Sequence, residues 1–183
     1  MRRRDLLAGV GSVGVLGAAG AVALGRVPSI NGDDGEGRTA PEPMSVETLD
    51  APGSEAGTVE IPAAGRPTFV DFFATWCDPC EAQMPALAEA NDRVGGDVVF
   101  VSVTTEDVGR EASEQHVVDW WTDHDGDWMV GADPTAELWS RYATGFPYAV
   151  AIDAAGAVRW SEPGAKTADE LVEGIGRAID VDE

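Results

Sequence analysis

Apolar runs separated by turn-forming clusters recur along the chain after residue 43, and their spacing predicts an alternating order of strands and helices. Val46 to Leu49 and Thr58 to Ile61 flank Pro52-Gly53-Ser54 and predict an N-terminal hairpin. The run Phe69 to Ala74, dense in β-forming residues, predicts a buried central strand. Cys77 to about Val94 reads as a helix that Pro85 should kink. Asp97 to Val103 is a second buried strand. Arg110 to His124 reads as a helix whose apolar face carries Val117, Val118, Trp120 and Trp121. Asp133-Pro134 reads as an N-cap followed by proline at the first helical position, opening a short helix through Trp139 and Tyr142. Tyr148 to Ile152 and Ala157 to Trp160 predict a hairpin around Asp153 to Gly156. Thr167 opens a last helix in which Leu171, Ile175 and Ile179 recur at spacing four. Strands alternating with helices, then a terminal hairpin and helix, predict an α/β fold with a mixed central sheet over residues 44–183.

The N-terminal region follows a different pattern. Arg2-Arg3-Arg4 precedes an uncharged stretch from Leu6 to Gly25 that is rich in Gly, Ala and Val. Six glycines between positions 9 and 25 count against a buried core helix. Arg3-Arg4 followed by Leu6-Leu7 resembles a twin-arginine export signal, and the stretch is also just long enough to span a bilayer. Residues 1–25 therefore read as an export signal or membrane anchor, removed at a small-residue site such as Ala21-Val22-Ala23 or retained. Residues 26–43, with Asn31-Gly32-Asp33-Asp34-Gly35 and Pro41-Glu42-Pro43, read as a flexible acidic linker.

Charge narrows the setting. The 33 acidic residues outnumber the 12 basic ones, for a formal net charge of −21, and Lys166 is the only lysine. Such a balance argues against nucleic-acid binding, which requires positive charge opposite phosphates. Because the acids spread over the whole domain, they suit a surface kept soluble in very high salt, where screening mutes self-repulsion. A halophilic, haloarchaeal source is the expectation; a partner with a basic surface is the alternative cause.

The candidate chemistry lies in Trp76-Cys77-Asp78-Pro79-Cys80, which holds both cysteines of the chain. They fall where the central strand gives way to a helix. A sulfur at a helix N-terminus meets unpaired N–H groups and the positive end of the macrodipole, which favour a thiolate. A second sulfur one turn in can close a disulfide with it. As a structural staple such a bond closes too short a loop to be worth much. A zinc site needs two more ligands, and His116 and His124, eight residues apart, fit no usual finger. Reversible thiol–disulfide exchange is the reading that uses the motif in its setting.

Val70 to Cys80 followed by Pro85 resembles the active-site segment of the thioredoxin family, and Gly145-Phe146-Pro147-Tyr148 resembles its cis-proline loop. Asp153-Ala154-Ala155-Gly156 resembles the turn between its last two strands. From about Met44 onward the wording is most similar to the TlpA/ResA-like branch, whose members are tethered extracytoplasmic thioredoxins. The resemblance implies a thioredoxin fold with an added N-terminal hairpin, no bound cofactor, and protein thiols or disulfides as substrates outside the cytoplasm. It also implies a membrane thiol carrier as redox partner and a reductant role, as in cytochrome c maturation. An oxidant or isomerase role is the alternative, as is a soft-metal module delivering copper, although copper chaperones of related fold use a longer cysteine spacing and a third ligand.

Residue roles follow from both lines. Cys77 is the expected nucleophile and Cys80 the resolving thiol. Asp78 beside Cys77 opposes thiolate formation and should make the centre more reducing. Asp71 shares a strand face with Phe69 and Phe73, an unfavourable place for a charge; the resemblance makes it a buried proton acceptor behind Cys80. Pro147 is the expected cis-proline, with Phe146 presenting its backbone to an extended substrate. Trp76 is expected to shape the binding groove. Trp120, Trp121, Trp128 and Trp139 read as core, and His116 and His124 as solvated helix residues.

Overall fold

The computed structural model describes residues 41–110 and 112–180. The expected leader at 1–25, and the linker up to residue 40, lie outside the described residues. Seven strands and four helices follow one another as β1 (Met44–Thr48), β2 (Gly57–Ile61), β3 (Thr68–Phe73), α1 (Asp78–Val94), β4 (Val99–Thr104), α2 (Glu114–Asp123), β5 (Met129–Ala132), α3 (Glu137–Tyr142), β6 (Tyr148–Ile152), β7 (Val158–Pro163) and α4 (Ala168–Ile179). A 3-10 turn, Gly95–Asp97, joins α1 to β4.

All seven strands form one sheet in the order β2-β1-β5-β4-β3-β6-β7. The central pairs β3–β4 and β4–β5 are parallel, while β3–β6, β6–β7, β1–β2 and β1–β5 are antiparallel. The mixed sheet and the N-terminal hairpin match the expectation. In β3 every residue is buried, because α1, α2 and α4 cover one face of the sheet and α3 packs on the other. Phe69 and Phe73 face α1 and α4 with Met84, Leu87, Leu171 and Ile175. Val70 and Phe72 face the opposite way, with Val46, Ile61, Leu138 and Ile152. The alternation of β3 therefore puts Asp71 on the α1 side.

Several boundaries differ from the sequence reading, each for a local reason. Strand β5 was not expected, since four residues ending Gly131-Ala132 carry little periodicity. Gly131 is required there: a Cβ would lie 2.8 Å from the Glu47 carbonyl oxygen on neighbouring β1. Helix α2 begins at Glu114 instead of Arg110, because Ser113 caps it by accepting the His116 N–H at 3.1 Å. Asp133 is not the N-cap of α3; Ala136 holds that position in a left-handed conformation (φ 54°). The Asp133 carboxylate still serves the helix end, accepting from Glu137 N at 3.1 Å and Trp139 N at 2.9 Å. Thr167 does open α4, in a reciprocal capping box with Glu170. Helix α1 continues through Pro85 to Val94.

Candidate active site

Cys77 ends the strand-to-helix turn as the N-cap of α1, with extended backbone (φ −99°, ψ 97°). Its N–H donates to Ala74 O at 3.1 Å, and its own carbonyl accepts from Cys80 N at 2.9 Å and Glu81 N at 3.2 Å. Pro79 stands in the first turn, where a missing N–H costs nothing. Cys77 and Cys80 are joined by a disulfide, their Cα atoms 5.3 Å apart. Cys77 keeps 7 % of its surface exposed and Cys80 only 2 %, the order expected of an outer and an inner sulfur.

The outer sulfur borders an open cleft of about 450 Å³ lined by Trp76, Cys77, Asp78, Pro79 and Phe146. Among the described residues Trp76 is the most exposed large apolar side chain, at 68 %. Its indole stands edge-on to Phe146 with centroids 5.8 Å apart, and Phe146 leans on Trp139 at the same separation. The Phe146–Pro147 peptide is cis, as expected; Ile61–Pro62 is also cis, which was not. Pro147 O accepts from Gly164 N at 2.8 Å. Among the described residues nothing pairs with the Phe146 N–H or C=O.

Asp71, on the face of β3 that α1 covers, has 1 % of its surface exposed. Burial pushes its carboxyl up to about 7, against hydrogen bonds from Ser102 and Gln83 that pull it down. Gln83 Nε2 donates to Oδ1 at 3.0 Å and Ser102 Oγ to Oδ2 at 3.3 Å. Gln83 Oε1 in turn accepts from Lys166 N at 2.8 Å, and Ser102 Oγ from the Trp128 indole N–H at 3.0 Å.

A second polar group braces the approach to Cys77. Glu106 accepts from Thr75 N and Thr75 Oγ1, both at 2.8 Å, and from Thr104 Oγ1 at 3.0 Å. Since the Thr75 hydroxyl gives its proton to Glu106, its oxygen accepts from His116 Nε2 at 3.2 Å. His116 is an exposed helix residue, as expected, whereas His124, expected to be solvated as well, is half-buried at the C-cap of α2. His124 stacks on Trp120 at 4.4 Å and lies 3.5 Å from Glu81 on α1. Trp121 and Trp128 are buried as core residues, and Trp139 is half-buried beside Phe146.

The structure thus brings Trp76, Cys77 and Phe146 together at the cleft, with Cys80 joined to Cys77 and Pro147 next to Phe146, while Asp71 lies inside β3 and meets α1 through Gln83. Sequence reasoning missed Gln83, Ser102, Trp128, Thr75 and Glu106. Gln83 carried one usable signal, a polar residue three positions after Cys80 on a helix face otherwise given to Met84 and Leu87.

A thioredoxin fold carrying a Cys-x-x-Cys disulfide at the mouth of a cleft defines a thiol–disulfide oxidoreductase of the thioredoxin class. The chain belongs to the Redoxin family, whose model matches residues 35–177. It is 27 % identical over 120 residues to Sporulation thiol-disulfide oxidoreductase A of Bacillus subtilis, covering 65 % of this chain and 72 % of that protein. Rice Thioredoxin Y, chloroplastic, is 42 % identical over 41 residues, a match to 22 % of this chain and 24 % of that protein's length. The crystal structure of StoA from Bacillus subtilis superposes with a TM-score of 0.62 at 23 % identity, over 74 % of this chain and 97 % of StoA.

Proposed function

We propose that the protein is an exported reductant of protein disulfides, acting outside the cytoplasm and tethered or secreted through residues 1–25. The observation that carries the reading is the Cys77–Cys80 pair at the start of α1, with Cys77 alone bordering the aromatic cleft.

An extended substrate segment lies against Phe146, whose backbone N–H and C=O add it as a strand, while Trp76 packs on its side chains. The Cys77 thiolate attacks one sulfur of the substrate disulfide. A mixed disulfide forms, and the departing substrate thiolate takes a proton from solvent. Cys80 then loses its proton to Asp71 and attacks the Cys77 sulfur. The substrate's second thiolate leaves, and the Cys77–Cys80 disulfide remains. Two electrons have passed from the enzyme dithiol to the substrate. A membrane thiol carrier restores the dithiol by the reverse exchange. Pro147 shapes the loop that faces the cysteines. The acidic, lysine-poor surface suits a high-salt medium.

The direction of flow is tested by the reduction potential against glutathione, together with insulin reduction. A reductant has a potential well below about −200 mV and reduces insulin. A potential near −120 mV with oxidation of reduced substrate would replace the proposal by an oxidant role. Tight Cu(I) binding without disulfide exchange would replace it by metal delivery.

A further inference from the structure

We infer that Gln83 is a positioning residue for the resolving step, locking Oδ1 of Asp71 as a pure acceptor so that the proton taken from Cys80 is held at Oδ2 beside Ser102. The inference rests on the reading of Asp71 as proton acceptor given above.

Hydrogen-bond polarity fixes the arrangement. A backbone N–H can only donate, so Lys166 N fixes Gln83 Oε1 as the acceptor at 2.8 Å. The Gln83 amide therefore has only Nε2 to present to Asp71, and the 3.0 Å contact at Oδ1 is a donation in either protonation state of the acid. On the other side the indole N–H of Trp128 occupies one lone pair of Ser102 Oγ. The Ser102 hydroxyl still has a proton to give to ionised Oδ2 and a second lone pair to accept from protonated Oδ2. Ser102 can thus partner both forms, whereas Gln83 favours the anion. Asp71, Gln83, Ser102 and Trp128 are buried and Lys166 is half-buried, which keeps water from substituting for them.

Other charges do not duplicate this role. Cys77 and Cys80 pack in the core cluster that holds Phe69 and Phe73, while Asp78, Glu81, Glu89, Asp92 and Arg93 on α1 are exposed. The titratable residue of β6 is Tyr148, packed with the opposite core; β4 has none. His116, Asp119 and Asp123 on α2 are exposed, as are Asp169, Glu170, Glu173 and Arg177 on α4. Lys166 turns its ammonium to Pro163 O, Gly164 O and Glu162. The same segment joins the acid to the substrate loop, because Gly164 N holds Pro147 O two residues before Lys166 N holds Gln83.

The test uses the full chain in two arms. In the first, infrared difference spectra against Asp71→Asn give the Asp71 midpoint in wild type, Gln83→Met and Gln83→Asn. In the second, resolution of a preformed Cys77 mixed disulfide is timed against pH. Loss of a hydrogen bond to a carboxylate should raise the midpoint by about one pH unit or more. Resolution near neutral pH should fall about tenfold and recover at higher pH. The shortened amide of Gln83→Asn, which cannot reach both partners, should act in the same direction if Gln83→Met fails to fold. An unmoved midpoint, or a rate loss equal at every pH, overturns the inference and leaves the role of Asp71 standing. If instead Asp71→Asn itself resolves at the wild-type rate, the proton-acceptor reading fails, while the infrared arm still decides what Gln83 does.

Discussion

Replacing Asp71 by Asn should change stability in opposite directions at low and high pH. In the oxidised protein the cysteines do not titrate, which isolates the acid. Its carboxyl ionises near 7 in the folded chain, against an ordinary value of 3.8. Between those values the native state holds a proton that the unfolded chain has released. Stability must therefore fall as pH rises through that window and level off above it. A gap of about three pH units corresponds to roughly 4 kcal/mol lost by pH 8. Asn carries no charge at any pH and escapes that loss. Its Oδ1 can accept from Gln83 Nε2 and its Nδ2 can donate to Ser102 Oγ as the protonated acid does, but the second amide proton is left without a partner in the buried site, at a cost of about 1–2 kcal/mol. Asp71→Asn should accordingly be less stable than wild type by about 1–2 kcal/mol at pH 4 and more stable by about 2–3 kcal/mol at pH 8. Urea unfolding of both oxidised proteins at several pH values, at fixed high salt, measures the difference. A difference that stays constant across pH, or that favours wild type at pH 8, would refute the reasoning.

Other perturbations separate the parts of the site. Asp78→Gly removes a carboxylate next to Cys77 and should raise the reduction potential by about 10–20 mV; an unchanged or lower value counts against an electrostatic role. Glu106→Ala leaves the half-buried Thr75 N–H without its acceptor and should cost about 1–3 kcal/mol in thermal unfolding, with slower reaction at Cys77. Full stability in that variant would mean that the brace on the turn is idle. Trp76→Ala, at an exposed position, should leave stability within about 0.5 kcal/mol and raise KM for a protein disulfide several-fold, with little effect on a small disulfide. Equal losses on both substrates would contradict a binding role.

What could be read from the sequence was whatever depends on neighbours along the chain. The cysteine pair stands at a strand-to-helix junction within one stretch, Thr167 and Glu170 cap α4 three residues apart, and Asp153 to Gly156 turns between paired strands. Periodicity also put Asp71 on the Phe69 and Phe73 face. The missed features depend on partners far apart. Glu106 meets Thr75 across 31 residues, and Lys166 meets Gln83 across 83, so nothing local marks either pair. Strand β5 escaped for a related reason: it is defined by pairing with β1 and β4, and Gly131 is there to let Glu47 approach. Asp133 shows how a correct capping residue can point to the wrong boundary, since its carboxylate reaches the amides of Glu137 and Trp139 across an intervening turn.

The central claim is that Cys77 attacks and Cys80 resolves. Its most direct test is intact-mass analysis after Cys80→Ser and Cys77→Ser, each reduced, meet a protein disulfide substrate. Cys80→Ser should accumulate a covalent adduct through Cys77 that dithiothreitol releases, and Cys77→Ser should give none. Adducts of equal yield from both variants, or from Cys77→Ser alone, would contradict the account.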